Sequence, residues 1–449
     1  MTASPSPVQQ VERLLGAPLV ASTAERLAAF ALDGHGPALV AFPETPEQVA
    51  QLLALANSEG WAVVPWGGGH GMATGATPAR YDVALSLARL ETLLDHDADN
   101  LTLTGEAGLV LDEANRRLAE ARQILPLGLP GDRGSLGGIV AAARPVPKRL
   151  LYGDVRDMLI GIRVALPDGS LVRYGRKVIK NVAGYDMNKL FLGSQGLLGV
   201  IVEATFKLFA LPDEERYVTG AFADLASAAA AAGELLGSAL LPATLLLFDG
   251  NLGEAFLGAA RLPRCGGQAL LLAGFEGRSA TLRRQEERAR ELIADQGGQC
   301  ATVAGALPEE ACAFLRLPTP ARADAAALRL RLGVTPQGIV PTVTRLRESL
   351  AELGLEAAVM ADYGSGTLRI VLPWPGDQAA QTCAAWIEAM RAALMEERGY
   401  LLIEAAPPAL KARSHVWGDL EGEAEIMALI KSRLDPKGIL APGRFLALP

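Results

Sequence analysis

Histidine and cysteine are scarce in this 449-residue chain, with only four of each. The cysteines contain no C-x-x-C pair, which excludes an iron–sulfur cluster or a zinc ribbon built from this sequence and is typical of a reducing compartment. The histidines are far apart, so we predict no transition-metal site and no histidine-activated nucleophile. These residues are Cys265, Cys300, Cys312 and Cys383, and His35, His70, His96 and His415.

The chain also lacks a basic block and a long apolar run, and no secretory leader is expected at its N-terminus. Forty-two Lys and Arg against 50 Asp and Glu give a net charge of −8, which argues against nucleic acid or an anionic membrane as the main partner. The best candidate for a membrane span, residues 235–248, is shorter than the ~20 residues required and contains Pro242. The N-terminal MTASPSPVQQ does not read as a signal peptide. We therefore expect a soluble, cytoplasmic protein without a transmembrane segment, at most peripheral at the inner face of the membrane.

Hydrophobic residues and glycine are abundant. Half of the residues are hydrophobic and 20% are charged, which excludes a disordered chain, and 48 glycines indicate many turns and close backbone approaches. A helix is predicted from Thr45, which forms a capping box with Gln48, to Gly60. A short strand over 61–65 follows it and leads into Gly67–Gly71. Helix, strand and glycine loop in this order are typical of an α/β unit.

The rest of the chain divides near Leu211-Pro212-Asp213. Before this point the pattern predicts a helix over 111–123, a β-hairpin over 159–174 and a strand over 198–208. After it, alanine-rich helices alternate with short strands as far as residue 405, which allows two βαβ-like halves, although no internal sequence repeat is visible. A final helix is predicted over 423–434.

Three glycine clusters lie beside apolar segments in the first half of the chain. They are Gly67–Gly71, Gly131–Gly138 and Gly193–Gly199. Successive N–H groups in such loops form a nest for an anion such as a pyrophosphate, although one cluster alone suits a tight turn equally well. Neither G-x-G-x-x-G nor G-x-x-x-x-G-K-[ST] occurs, so neither a Rossmann site nor a P-loop is predicted. Three clusters together favour a long ligand that crosses several backbone loops.

The glycine clusters belong to segments that resemble the FAD-binding (E) subunits of glycolate oxidase complexes, within the vanillyl-alcohol-oxidase, or PCMH-type, flavoprotein superfamily. The segments are PWGGGHG (65–71), ETLLDHDADNLTLTGEAGLVLDEAN (91–115), LPGDRGSLGG (129–138), YGDVRDMLIGIRVALPDGSLVRYG (152–175), KNVAGYDMNKLFLGSQGLLGVIVE (180–203), PALKARSHVWG (408–418) and DPKGILAPGRF (435–445). The resemblance implies an α+β fold with a PCMH-type FAD-binding domain of two α/β subdomains and a ferredoxin-like cap. The implied parts are a tail and lead-in helix over 1–36, the FAD-binding domain over 37–213, a cap or substrate domain over 214–405 and a returning C-terminal segment over 406–449.

The resemblance also implies which residues contact FAD. The first cluster would wrap the pyrophosphate, the second would follow the flavin and ribityl chain, and the third would pack near the adenine. Asp154 and Arg156 would shape the flavin pocket or, alternatively, form a structural ion pair. The implied cofactor-binding residues are Gly67, Gly68, Gly69, His70, Gly71, Pro130, Gly131, Ser135, Leu136, Gly137, Gly138, Asp154, Arg156, Gly196, Gly199, Val200 and Ile201.

Some residues depart from the family pattern or lack a clear role. His70 stands where these subunits usually carry Ser or Thr; some relatives with a G-G-H loop attach the flavin through this histidine, so His70 is a candidate for a covalent link, or for a hydrogen bond to a phosphate or a loop carbonyl. Ala441 replaces the usual Asn of the terminal segment, which removes a polar contact to the flavin. Tyr363 and Arg369 are expected to pack within the cap strands, although pairing of Arg369 with a carboxylate would suit a 2-hydroxyacid. Arg444 is expected to face solvent, with binding of a phosphate or a carboxylate as the alternative.

The implied chemistry is oxidation of a small 2-hydroxyacid, which loses a hydroxyl proton and an α-carbon hydride. The sequence shows neither a catalytic base nor the histidine cluster of related D-2-hydroxyacid dehydrogenases. The first hypothesis is an electron-transferring FAD subunit that works beside a sister FAD-linked oxidase subunit and an iron–sulfur subunit. The second is a self-sufficient FAD-dependent D-2-hydroxyacid (D-lactate or glycolate) dehydrogenase. A flavin-free scaffold is disfavoured by the retained glycine clusters.

Overall fold

The computed structural model of the chain describes residues 5–175, 185–316, 327–420 and 422–445. Two units of mixed helix and sheet are followed by a larger region, which we call the cap (residues 214–405), and by a C-terminal segment (residues 406–445). The α+β prediction is confirmed.

The first unit is a four-stranded sheet packed against a 14-residue helix. Its elements are α1 (Pro7–Leu15), β1 (Val20–Ala21), α2 (Ala24–Ala28), β2 (Leu39–Ala41), α3 (Pro46–Glu59), β3 (Val63–Trp66) and β4 (Val83–Ser86). The strand order is β1–β2–β4–β3, and the last three are parallel. All three strands are buried on both sides, as parallel strands usually are.

Helix α3 begins and ends as the sequence predicts. The Thr45 hydroxyl accepts a hydrogen bond of 3.2 Å from the N–H of Gln48, and Gly60 ends the helix in a left-handed conformation, at φ +73°. The Gln48 side chain accepts instead from the N–H of Glu44, so the predicted capping box is only half formed. The apolar stripe of α3 covers the first sheet, and β3 then leads directly into Gly67.

The second unit is a five-stranded antiparallel sheet. Its elements are β5 (Leu93–Asp97), β6 (Thr102–Glu106), α4 (Leu111–Leu118), β7 (Gln123–Ile124), α5 (Leu136–Ala142), α6 (Arg149–Tyr152), α7 (Val155–Met158), β8 (Leu159–Ala165), β9 (Leu171–Gly175), α8 (Asn188–Phe191), β10 (Val200–Lys207) and β11 (Phe209–Ala210). The order is β5–β6–β10–β8–β9, and β7 pairs with β11 separately. The predicted hairpin is β8–β9; the helix predicted over 111–123 ends earlier, because Arg122 turns left-handed (φ +56°) and β7 follows.

The cap is one eight-stranded antiparallel sheet. Its elements are β12 (Glu214–Phe222), α9 (Leu225–Gly237), β13 (Thr244–Asp249), α10 (Gly250–Ala259), β14 (Ala269–Gly277), α11 (Ser279–Asp295), β15 (Gln299–Ala304), α12 (Glu309–Arg316), β16 (Ala327–Gly333), α13 (Ile339–Ala351), β17 (Ala358–Asp362), β18 (Thr367–Pro373), α14 (Ala380–Glu396) and β19 (Tyr400–Ala405). The strand order is β15–β12–β14–β13–β17–β18–β16–β19.

Two halves with the same topology make up this sheet. Strands β12–β15 lie in the order β15–β12–β14–β13, and β16–β19 repeat it as β19–β16–β18–β17. Each half is a ferredoxin-like βαββαβ unit, and the two join edge to edge where β13 pairs with β17. Helices α9, α11, α13 and α14 pack on one face of the sheet. Helices α10 and α12 belong to the first half alone and cover its other face.

The C-terminal segment carries α15 (Pro408–Lys411) and α16 (Glu423–Leu434) and then returns to the first unit. The N–H of Val63 donates to Ile439 and the carbonyl of Val63 accepts from Ala441, both at 2.8 Å, so residues 439–441 extend the sheet beside β3. Short 3-10 turns lie at Ala17–Leu19, Ala119–Ala121, Pro336–Gly338 and Asp377–Ala379. Within the described ranges, every helix is too short or too polar to cross a membrane.

Candidate functional site

A cleft opens between the two N-terminal units and the second half of the cap. One wall comes from residues 65–74, 134–145 and 195–201, and the opposite wall from β16, β18 and β19. Many of the predicted cofactor-binding residues line it: Gly67, Gly68, Gly69, His70, Gly71, Ser135, Gly137, Gly138, Gly196, Gly199, Val200 and Ile201. The fold therefore brings parts of all three glycine clusters to one place.

The first cluster, Gly67–Gly71, presents unused backbone donors to this cleft. No hydrogen bond between described residues uses the N–H groups of residues 67 to 71. Gly69 has φ +80°, and a Cβ on Gly67 would lie 2.3 Å from the Ser135 hydroxyl oxygen, so these two positions require glycine. A run of free N–H groups held in a tight loop is an anion-binding nest.

The second cluster, Gly131–Gly138, plays a different part. The N–H groups of Gly131, Gly134 and Gly137 all donate within the protein, to Asp112, Asp132 and Ala107 respectively. A Cβ on Gly137 would lie 2.6 Å from that of Ala107, so this glycine permits close packing of α5 on the neighbouring chain. These glycines shape the wall of the cleft, because their amides are already used within the protein.

The third cluster works by close approach. Gly196 has φ +74°, and a Cβ there would lie 3.0 Å from the Pro65 ring. A Cβ on Gly199 would lie 2.6 Å from Cγ1 of Val164. These contacts bring the start of β10 beside the end of β3 and complete that wall of the cleft.

Five predicted residues lie outside the cleft lining. Leu136 is fully buried in the core of the second unit, and the carbonyl of Pro130 accepts a hydrogen bond from Arg316. Asp154 caps α7 and lies 3.6 Å from Arg149, and Arg156 offers its carbonyl to Lys189. The ion pair of Asp154 is thus with Arg149. The fifth residue is Gly131, which lies beside Arg316; the side chain of Arg156 is exposed.

The opposite wall of the cleft carries charged residues that the sequence analysis did not assign to a site. Arg329 and Arg331 alternate along β16 with leucines of the cap core, so they face the cleft, and Arg369 lies directly opposite Arg331 on β18. The Nε atoms of Arg329 and Arg331 are buried and make no hydrogen bond to described residues. Arg369 lies within cap strand β18, as expected, and it also lines the cleft, where the alternative of pairing with a carboxylate stays open. For Arg329 and Arg331, the period-two alternation in ALRLRLG was the available signal.

Glu404 supplies the carboxylate of this wall. The pairing of β19 with β16 shifts between Arg329 and Leu330, so Glu404 is the extra residue of a β-bulge and also lines the cleft. Its Oε1 lies 3.4 Å from Nε of Arg331. Burial lowers the pKa of the Arg369 guanidinium, Glu404 opposes this, and the nearby Arg331 adds to it. Positive charge therefore exceeds negative charge on this wall.

The sequence analysis also predicted the surroundings of Arg444 and Tyr363. Arg444 is buried, with 8% of its surface exposed, and donates to carbonyls of residues 72–76, so the expectation of solvent exposure is wrong. Tyr363 packs in the cap core, as predicted. Ala441 is buried beside β3.

The chemistry of the cleft is that of an anion site. Its donors are backbone N–H groups on one wall and guanidinium groups on the other. In the described parts of the chain, no group of three or more His, Cys, Asp or Glu side chains is placed to hold a metal ion.

Comparisons with known proteins agree on the type of fold. Residues 37–175 match the family described as FAD binding domain, and residues 211–445 match FAD linked oxidases, C-terminal domain. The glycolate oxidase subunit GlcD of Bacillus subtilis is 26% identical over 427 residues, which is 92% of this chain and 89% of that protein. The D-2-hydroxyglutarate dehydrogenase of Xanthomonas citri pv. viticola is 36% identical over 174 residues, covering 38% of this chain and 37% of that protein.

Among solved structures, p-cresol methylhydroxylase with bound substrate aligns with a TM-score of 0.77 at 17% identity, over 97% of this chain and 95% of that one. An alkyldihydroxyacetonephosphate synthase aligns at 0.74 and 18% identity, over 98% and 86%. At these identities the likeness concerns the fold, and it confirms the predicted PCMH-type architecture.

The residues of the cleft fit FAD on structural grounds. The diphosphate of this cofactor needs several donors in one place, and the free N–H groups of residues 67–71 supply them. The glycines of all three clusters leave open a backbone-lined wall that a Cβ would narrow.

Proposed function

Because the chain belongs to the FAD-linked oxidases, we propose that it oxidises a small 2-hydroxyacid whose carboxylate binds to the arginines of the cap wall. The observation that carries this proposal is the pair Arg331 and Arg369, opposite each other on neighbouring strands and across the cleft from the glycine loop. Similar proteins are named for glycolate, D-lactate and D-2-hydroxyglutarate, all 2-hydroxyacids.

FAD, when bound, supplies the acceptor for the two electrons that leave the substrate carbon. The chain's part is to hold the diphosphate at Gly67–Gly71 and to wall the ring system with Ser135–Gly138 and Gly196–Ile201. The remaining predicted contacts, at Pro130, Gly131, Leu136, Asp154 and Arg156, have no support from the cleft lining. We therefore propose that FAD contacts the predicted residues that line the cleft and not these five.

His70 lines the same wall and is exposed. We retain it as a candidate for covalent attachment of the flavin, with a hydrogen bond to a phosphate as the alternative. Acid precipitation distinguishes the two, because a covalent flavin stays with the pellet and a bound one colours the supernatant. Substitution His70→Ala would abolish pellet colour only in the first case.

The substrate carboxylate has a ready partner in the cap. Arginine pairs with carboxylates through two parallel N–H donors, and Arg369 has no ion pair with a described residue. Glu404, on the same wall, is the carboxylate we propose as acceptor of the hydroxyl proton.

Electrons must then leave the flavin. We propose that this chain is a subunit of a glycolate-type dehydrogenase, with a sister FAD-linked subunit and an iron–sulfur subunit as partners, and that α16 is the docking face. No residue of α16 is buried, and Ile426 and Leu429 are 62% and 57% exposed. The self-sufficient dehydrogenase is the second candidate, and the charged wall of the cap supports it, because that wall would give this chain a substrate site of its own.

Purification of the chain alone tests both candidates. We expect a yellow protein that reduces its flavin when glycolate or D-lactate is added. Turnover with an artificial acceptor would support the self-sufficient enzyme, and flavin without turnover would support the subunit. Arg331→Met should raise KM at least about tenfold, whereas the matched control Arg345→Met, on the helical side of the cap, should not. A correctly folded protein that takes up no FAD would refute the proposal.

A further inference from the structure

Arg444 is buried against the loop that continues the first glycine cluster. We call residues 72–77 the carbonyl loop. The Arg444 guanidinium donates to the carbonyls of Met72 at 2.8 Å, Ala76 at 3.4 Å and Thr74. Arg444 forms no ion pair with another described residue, so its positive charge is not neutralised by contact.

A second cation on this side of the loop is already paired. Lys411 Nζ lies 2.8 and 3.0 Å from the two carboxylate oxygens of Asp33, and it also donates to the carbonyl of Ala73 at 3.0 Å. Thr77 adds a hydrogen bond of 3.2 Å to the same carboxylate. Lys411 and Asp33 together are neutral, which leaves the Arg444 charge behind the carbonyl loop.

The direction of these hydrogen bonds fixes the direction of the loop amides. In a planar trans peptide the C=O and the N–H point opposite ways. Carbonyls turned toward Arg444 therefore turn the N–H groups of Ala73, Gly75 and Thr77 away from it, and none of these three donates to a described residue. Gly75 has φ +107°, and a Cβ there would lie 3.0 Å from the Arg444 carbonyl, so this arrangement requires glycine.

The carbonyl loop also forms part of the cleft. Met72, Ala73 and Thr74 line it directly after Gly71. Met72 and Thr74 donate to the carbonyls of Gly69 and Gly71, so Ala73 is the loop residue that adds a free N–H to those of residues 67–71 at the cleft. Behind them lies a fixed, buried positive charge that the protein does not use for any other ion pair.

We propose that Arg444 is a positioning residue for the FAD diphosphate: by holding the Met72 carbonyl it turns the Ala73 N–H toward the anion, and it supplies a positive charge, unpaired with any described residue, behind the loop. This rests on the proposed function only in that the chain binds FAD. The C-terminal segment would thus help to retain the cofactor. Arg444 lies 368 residues along the chain from Ala76, whose carbonyl accepts its hydrogen bond.

The test compares three ligands on apo protein: FAD, ADP, which has the diphosphate but no flavin, and riboflavin, which has the flavin but no diphosphate. We expect Arg444→Met to weaken FAD and ADP at least about tenfold and riboflavin less than about twofold. Arg444→Lys keeps the charge and should recover most of the FAD affinity. The control is Arg433→Met, an exposed arginine on α16, which should change none of the three.

Two results would overturn the proposal. One is equal weakening of FAD and riboflavin, which a merely structural role predicts; the other is unchanged FAD and ADP affinity in Arg444→Met. If Arg444→Met does not fold, the same three ligands are measured on Arg444→Gln, which removes the charge but keeps hydrogen-bond donors; unchanged affinity for FAD and ADP in that variant would likewise overturn the proposal. A wild-type protein that binds none of the ligands would refute the proposed function, a separate outcome.

Discussion

The two halves of the cap share one topology but use like-charged pairs in opposite ways. In the first half, Glu215 on β12 lies directly opposite Glu276 on β14; in the second, Arg331 on β16 lies directly opposite Arg369 on β18. Like charges opposite each other on neighbouring strands are destabilising unless something compensates them.

The first half contains its own compensation. Lys148, which is 3% exposed, forms ion pairs with Glu276 and, at 3.0 Å, with Glu215. The hydroxyl groups of Tyr152 and Tyr217 donate to the same carboxylates at 2.6 and 2.8 Å. Because Lys148 and Tyr152 come from the second unit, this network fastens the cap to the rest of the molecule.

The second half leaves its pair only partly compensated. In the described part of this wall, Glu404 is the one carboxylate, and it lies 3.4 Å from Arg331. The wall carries three arginines, Arg329, Arg331 and Arg369. Among the described residues, no helix covers this face, whereas α10 and α12 cover the corresponding face of the first half. The comparison teaches that a pair compensated inside the chain serves stability, and that a pair left open to a cleft serves a ligand.

Removal of Lys148 should have the largest effect. Lys148→Met leaves two buried carboxylates opposite each other, so we expect a loss of about 3 to 5 kcal/mol in unfolding free energy. Urea denaturation followed by circular dichroism measures it. The double variant with Glu276→Gln should regain part of the loss, and full stability in Lys148→Met alone would contradict the compensation argument.

Removal of Arg369 should change stability little and catalysis strongly. Arg369→Met relieves repulsion with Arg331, so stability should change by less than about 1 kcal/mol. At the same time kcat/KM for the 2-hydroxyacid should fall about 100-fold, because a charged hydrogen bond to the carboxylate is lost. Denaturation and steady-state kinetics on one preparation check both quantities. A large loss of stability with normal kinetics would mean that the arginine pair, like the glutamate pair of the first half, serves stability and not ligand binding.

The pH dependence of stability sharpens the comparison further. Burial and the adjacent Glu215 raise the pKa of Glu276 above its usual value, against the effect of Lys148. The folded state therefore holds this proton more tightly than the unfolded state, so its stabilising contribution is present below pH 4.5 and is lost as pH rises through the folded pKa. We expect Glu276→Gln to gain Tm relative to wild type as pH rises from 4.5 toward 7. If the Tm values of Glu276→Gln and wild type change in parallel over this pH range, the raised pKa of Glu276 is contradicted.

The smallest effect on stability belongs to Glu404. Its contact with Arg331 is long and partly exposed, so Glu404→Gln should cost less than about 1 kcal/mol. Its kcat should nevertheless fall, with little change in KM, if Glu404 accepts the substrate proton. Thermal denaturation and kinetics separate the two quantities, and an unchanged kcat would remove Glu404 from the mechanism.

Much of the fold was predictable because its signals are local. The cap of α3 at Thr45, the β8–β9 hairpin and the bounds of α16 follow from capping residues, turn residues and periodicity. The cleft was half predictable: glycine loops are visible in a sequence, and several lie where predicted. The charged wall was not, since the pairing of Arg331 with Arg369 and the shift at Glu404 depend on register between strands distant in sequence. Arg444 likewise depends on a contact across the whole chain.

The extra residue in β19 has a consequence for how such chains diverge. Leu401 and Ile403 stay in the hydrophobic core on one side of Glu404, and Ala405 still pairs with Arg329 on the other. A single codon inserted at this point adds a carboxylate to the cleft and leaves the buried side chains where they were. Loss of that codon would remove the carboxylate and leave the strand pairing on both sides of it in place, so the charge of the cleft can change here without repacking of the core.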